Sequence, residues 1–239
     1  MSRSSSYFEL RDALEQPGCA ICRLEEATAT RYIDNLLWEL VNDSGVRQKI
    51  RRARGFCGTH AQGLVHAGAA LGVSIIMKDI FESLLEIFGK QHTACEPSNR
   101  TWLDRTFRGH APLKKADAIC STLAPQSPCL VCIHVQESKW IYLRVLVDNL
   151  AGDFELLPHF RSSEGLCLLH FCQALSLISD PAVLDSFIEA QQAIWRELAD
   201  QLSEFIRKND YRYQDEPIGA EGAAWQKAAS ILAGRDRGQ

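Results

Sequence analysis

Cys19-Ala20-Ile21-Cys22 and Gly55-Phe56-Cys57-Gly58-Thr59-His60 return 110 residues later as Cys129-Leu130-Val131-Cys132 and Gly165-Leu166-Cys167-Leu168-Leu169-His170. Each tetrad reads C-x2-C-x34-C-x2-H, and the two absorb six of the nine cysteines. Two complete sets at one shared offset are the mark of an internal repeat. The reading is a tandem duplication of helical units, each organised around a Cys3His metal site.

The segments around the tetrads follow a helical period. Residues 6–16 are amphipathic and stop at Pro17-Gly18. Ala20 to Val41 carries Tyr32, Ile33, Leu36, Leu37 and Leu40 at helical spacing, and Asn42 to Gly45 breaks it. Val46 to Arg54 reads as a short basic helix, and Gly58 to Phe88 as a helix interrupted near Gly72. Ser127-Pro128 resembles a cap with proline at the first helical position, which puts Cys129 in a first turn. Val131 to Leu150 repeats the first long helix, with Tyr142 matching Tyr32 and Leu146 matching Leu36. A last long helix is expected over 181–208 behind an Asp180 cap, then a tail helix over 220–232 anchored by Trp225. Few stretches alternate like strands, so the fold class is all-α. The expected divisions are a first metal-binding repeat at 1–90, a connection at 91–127, a second repeat at 128–210 and a tail at 211–239.

CxxC in a helical first turn brings two sulfurs to one point, where free backbone N–H groups and the positive helix end favour thiolate. CxxH supplies sulfur and imidazole in the same way. Two such pairs face to face make a closed tetrahedron suited to zinc. The candidate metal ligands are Cys19, Cys22, Cys57, His60, Cys129, Cys132, Cys167 and His170, holding two zinc ions per chain. Two iron–sulfur clusters are the alternative, since thiolates with an occasional histidine also hold those. Neither CxxC is followed by His, which excludes c-type haem attachment.

Pairing within each repeat is expected, because duplication copies a self-sufficient unit. Geometry strains that expectation. A helix over 20–41 is about 30 Å long at 1.5 Å per residue, and only about 15 residues remain to bring Cys57 back. The crossed alternative joins Cys19 and Cys22 to Cys167 and His170, and Cys129 and Cys132 to Cys57 and His60.

Composition narrows the classes. With 46% hydrophobic and 23% charged residues the chain can bury a core without help from metal. Net charge −4 argues against a general nucleic-acid binder. The one basic cluster, Arg47, Lys49, Arg51, Arg52 and Arg54, reads as a solvated helix face. There is no signal-peptide pattern at Met1 to Arg11 and no apolar run of membrane-spanning length. A cytoplasmic protein off the membrane is expected, where thiols stay reduced.

Other tempting residues take plain readings. Cys172 is read as a small core residue, and Cys95 and Cys120 form no pattern. His66, His92, His110, His134 and His159 have no partner at metal spacing. Glu25, Glu26 and Glu39 are read as helix-surface carboxylates, and Asp43 and Asp153 as turn or cap residues. Gly55 and Gly165 are expected to let the backbone approach closely. No P-loop, GxGxxG, HExxH or GxSxG occurs.

The quoted motifs, with Asp210-Tyr211-Arg212-Tyr213 near the C-terminus, resemble an uncharacterised bacterial and archaeal family, a domain of unknown function. That family is marked by duplicated CPxC and GFCxxH motifs; Ala20 stands where it has proline. The resemblance spans nearly the whole chain and implies no activity.

Three functions follow as expectations. The first is a metal-binding protein with a structural or metal- or redox-sensing role; four strong ligands per site leave no open position for catalysis. The second is a two-cluster electron carrier or cluster-dependent enzyme. The third is a helical interaction scaffold with an unidentified protein partner. A homodimer fits the long terminal helix.

Overall fold

The computed structural model describes residues 4–93, 111–152, 155–213 and 215–234. Among them the fold is all-α, without a strand. The helices are α1 (Ser5–Leu14), α2 (Ala20–Trp38), α3 (Ser44–Arg52), α4 (Gly58–Gly63), α5 (Ala70–Thr93) and α6 (Ala111–Leu123). They continue with α7 (Leu130–Asp148), α8 (Leu157–Arg161), α9 (Leu168–Leu175), α10 (Pro181–Lys208), a 3₁₀ turn (Ala220–Ala223) and α11 (Ala224–Ala233). Cys95, His110 and Asp153, and the side chain of His92, fall outside the described residues.

The chain divides into two compact units, one of residues 1–28 with 135–237 and one of residues 29–134. The compact units are therefore not the consecutive segments 1–90, 91–127, 128–210 and 211–239 of the sequence reading. Both divisions fall inside helices, in α2 and α7, so neither loops nor linkers mark them.

In the first unit α10 packs on α8, α11 and the 3₁₀ turn, while α9 packs on α11 and α1 on α8. Its core runs from Leu10, Leu14 and Ile21 through Leu143 and Leu146 to Phe160 and Phe187. Phe187 stacks obliquely on Phe160 at 4.7 Å and on Phe171 at 5.3 Å between ring centroids. Asp180 caps α10 as expected, accepting from the Ala182 N–H at 2.8 Å, with Pro181 in the first turn. Trp225 is 54% exposed; Ala224 and Ile231 bury α11 instead, because they share the face that meets α9 and α10.

In the second unit α3 packs on α5, and α5 on α6. Asp43 caps α3, accepting from the Val46 N–H at 2.7 Å. The basic cluster is only partly solvated: Arg47 and Arg51 both reach Asp79 of α5, at 2.7 and 2.9 Å. The expected helix over 58–88 breaks at 64–69, before Gly72, with Leu64 and Ala69 buried in the break. No helix among the described residues is long and apolar enough to cross a membrane.

Candidate metal centres

Four helices begin at the candidate ligand residues. The carbonyls of Cys19, Cys57, Cys129 and Cys167 each accept a helical bond from the N–H four residues on, in Arg23, Ala61, Ile133 and Phe171. Each of these cysteines is thus an N-cap, not the first-turn residue expected for Cys129. Its partner in the motif lies in the first turn three residues later. Eight donor atoms consequently cluster at four positive helix ends, where thiolate is favoured.

The structure pairs each CxxC with the CxxH of the other tetrad. Cys19, Cys22, Cys167 and His170 form one group within the first unit. Cys57, His60, Cys129 and Cys132 form the other within the second. This corrects the expected in-repeat pairing, and the reason is where the following helices pack. Helix α2 carries the chain about 24 Å from Cys22. The nine-residue α3 that follows packs on α5 within the second unit, which keeps Cys57 and His60 there beside Cys129 and Cys132.

In the first group His170 Nδ1 lies 3.5 Å from Cys19 Sγ, 3.4 Å from Cys22 Sγ and 3.2 Å from Cys167 Sγ. Cys22 and Cys167 sulfurs are 3.7 Å apart. In the second, His60 Nδ1 lies 3.1 Å from Cys57, 3.2 Å from Cys132 and 3.7 Å from Cys129. Cys57 and Cys132 sulfurs are 3.6 Å apart. All four donor atoms of either group lie within 4.8 Å of one another. A tetrahedral zinc with sulfurs at about 2.3 Å and nitrogen at about 2.0 Å has edges of about 3.8 and 3.5 Å. The residues present therefore fit a four-coordinate ion.

Crowding of the donors shifts their titration strongly. Hydrogen bonding to Cys167 and Cys22, with burial, holds the Cys19 thiol well above its usual range. Burial and the neighbouring Cys57 push Cys132 up to about 12. Cys129 falls to about 6: burial opposes the shift, but the hydrogen bond from His60 and nearby backbone N–H groups outweigh it. His170 rises to about 9, where burial again opposes and the sulfurs of Cys167 and Cys22 outweigh it. Crowded thiolates repel, and a bound divalent ion offsets that repulsion.

Sequence reading missed the residues that hold the first group in shape. Glu25, expected on the surface, is 2% exposed. Its Oε2 lies 3.2 Å from Nε2 of His170, leaving Nδ1 to face the sulfurs. A signal existed: Ile21, Glu25 and Thr28 share a helical face, and all three are buried. We expect Glu25→Gln to weaken ion binding at the first group by about 10–100-fold. Chelator competition would read this, with the second group as the internal control; equal affinities in variant and parent would remove Glu25 from the outer shell.

Glu164 joins three segments, accepting from the Gly18 N–H at 2.7 Å and pairing with Lys227 of α11 at 2.7 Å. Gln191, fully buried on α10, clamps the Leu166 peptide: its Oε1 accepts from Leu166 N–H at 3.0 Å and its Nε2 donates to Leu166 C=O at 3.3 Å. The clamp explains Gly165, whose φ is +75° and whose added Cβ would stand 2.7 Å from Gln191 Nε2. Gln191→Leu strands both Leu166 groups and is expected to cost about 1–3 kcal/mol in urea unfolding. An unchanged midpoint would show that the peptide finds other partners.

Of the remaining candidates, Cys172 is exposed and not in the core, because it follows Leu168 and Leu169 on the outer face of α9. Cys120 is exposed. His134 stacks on Tyr32 at 4.5 Å, His66 lies 3.5 Å from Asp34, and His159 lies 3.8 Å from Glu15. None of them joins a donor group.

The molecule is thus an all-α protein carrying two Cys3His groups. It belongs to the family described as "Family of unknown function (DUF6062)", whose model matches residues 1–239. It is also similar to the "Uncharacterized 23.9 kDa protein in xynA 3'region" of Caldicellulosiruptor sp. (strain Rt8B.4). That protein is 25% identical over 221 residues, covering 90% of this chain and 95% of the relative. No solved structure matches the chain significantly.

Proposed function

We propose that the chain is a metalloprotein whose two Cys3His groups each bind one mononuclear ion, zinc in preference to iron, in a primarily structural role. The observation that carries this reading is the mutual distance of the donor atoms, all within 4.8 Å in either group. Sulfurs that close together suit one shared ion. An iron–sulfur cluster interposes several irons and sulfides, which spreads the protein sulfurs further apart. Four strong donors also close the coordination sphere, as in structural rather than catalytic zinc sites. The bound ions would tie residues 19–22 to 167–170 and residues 57–60 to 129–132, fastening segments that the chain alone holds far apart. A reducing compartment such as the cytoplasm would keep the thiols available.

Sensing of metal or oxidant is a second reading, favoured by the partial exposure of Cys57 and Cys132. Peroxide that left both ions and the helical content unchanged would eliminate it.

Elemental analysis with a visible spectrum on anaerobically purified protein tests the main reading. About two zinc per chain and no colour are expected. Several irons with matching sulfide and a broad visible band would overturn it in favour of electron transfer.

A further inference from the structure

We infer that the two centres are unequal in function: the first retains its ion, and the second passes its ion to a thiolate-rich acceptor, an apo cysteine site of another protein. This rests on the reading of both groups as mononuclear metal centres, and four differences carry it.

Exposure comes first. Cys19, Cys22, Cys167 and His170 are all buried, whereas Cys57 and Cys132 of the second group are half-exposed. Those two sulfurs are 3.6 Å apart, so the partial exposure falls on one edge of the second donor set. Second, the first group is covered by the end of α11. A Cβ at Gly234 would lie 3.5 Å from Cys167 Sγ, and the Glu164–Lys227 pair holds that helix in place. Third, the outer shells differ. Glu25 lies against His170, but the position 110 residues on from Glu25 is Val135, whose side chain carries no acceptor. Fourth, Gln191 clamps the first ligand loop, while the position 110 residues before it is Phe81, an exposed side chain on α5. Between the second pair of ligands stand exposed Gly58 and Thr59, where the first has Leu168 and Leu169. Neither adds bulk that would fend off an incoming group.

The exchange needs no change of oxidation state. An acceptor thiol gives up its proton as its sulfur bonds to the ion on the half-exposed edge. Cys57 or Cys132 then lets go and takes up a proton, and repetition moves the ion across. Three of the metal–sulfur bonds formed replace those broken to Cys57, Cys129 and Cys132, the fourth replaces the bond to His60, and of the protons shed by the acceptor thiols three return to the freed cysteines and one goes to solvent.

The test uses the full chain loaded with two zinc ions, and as acceptor a synthetic apo zinc-ribbon peptide whose ligands are all cysteines. Zinc in each partner is measured over time after separation, and samples are alkylated and mapped by mass spectrometry. One equivalent is expected to move at least about tenfold faster than the other, in keeping with the weight of an outer shell. After that phase Cys57, Cys129 and Cys132 should be alkylated and Cys19, Cys22 and Cys167 protected, with exposed Cys120 and Cys172 labelled from the start. No variant is needed, so misfolding cannot blur the answer. Release of both ions in one phase, release of neither, or early labelling of Cys19, Cys22 or Cys167 would overturn the inference while leaving the metal reading intact. A loaded chain holding fewer than two ions overturns the metal reading itself.

Discussion

Cys167→Ser is expected to empty the first centre and lower the melting temperature by about 10–20 °C, the largest effect of any single substitution considered. Cys167 is fully buried, with its sulfur 3.2 Å from His170 Nδ1 and 3.7 Å from Cys22 Sγ. Serine is nearly isosteric, so little packing is lost. What is lost is a thiolate donor, and with it a cross-link between residues 145 apart in sequence. Structural zinc contributes an apparent 10–16 kcal/mol or so to small domains. Here a core independent of the ion remains, so a loss on the order of 5 kcal/mol is the reasonable share. At about 2–4 °C per kcal/mol for a chain of this size, that gives the stated range. Calorimetry beside zinc analysis checks it. A variant that keeps two ions, or melts within about 3 °C of the parent, would mean that Cys167 is not a ligand or that its ion does not staple the unit.

Phe187→Ala is expected to cost about 3–5 kcal/mol without releasing either ion. The ring is fully buried between Phe160 and Phe171, and its helix α10 packs on α8 and α11. Removing it opens a cavity that aromatic neighbours at fixed helix positions cannot collapse to fill. The ligands are set by the N-terminal ends of α2 and α9, so the centre should survive the loss. Urea unfolding with zinc analysis separates the two contributions. A cost under about 1 kcal/mol would show that the core repacks, and loss of an ion would show that α10 positions His170 more directly than the fold suggests.

The two substitutions mark how far the chain can be read unaided. Helix starts were legible, because caps and first-turn spacing are local. Asp43 and Asp180 cap α3 and α10 as their sequence context suggests. The eight donor residues were legible for the same reason: CxxC and CxxH each fit one helical turn. Glu25 was readable in principle, from its place on the face of Ile21 and Thr28, but a lone carboxylate gives no hint of its partner. Gln191 and Glu164 gave no local signal at all. Their partners, Leu166, Gly18 and Lys227, lie 25 or more residues away.

The sequence by itself determined the all-α class, the eight candidate donor residues and the helix ends that present them, since each of these is decided within a few residues. Which CxxC meets which CxxH was decided only by tertiary structure. A 19-residue α2 carries the chain away from Cys22, and α3 then packs on α5 in the second unit, which keeps Cys57 there with Cys129. The same non-local packing buried one group under α11 and left two cysteines of the other only half-buried. A repeated motif is local chemistry, and its environment is set by whichever distant segments pack against it.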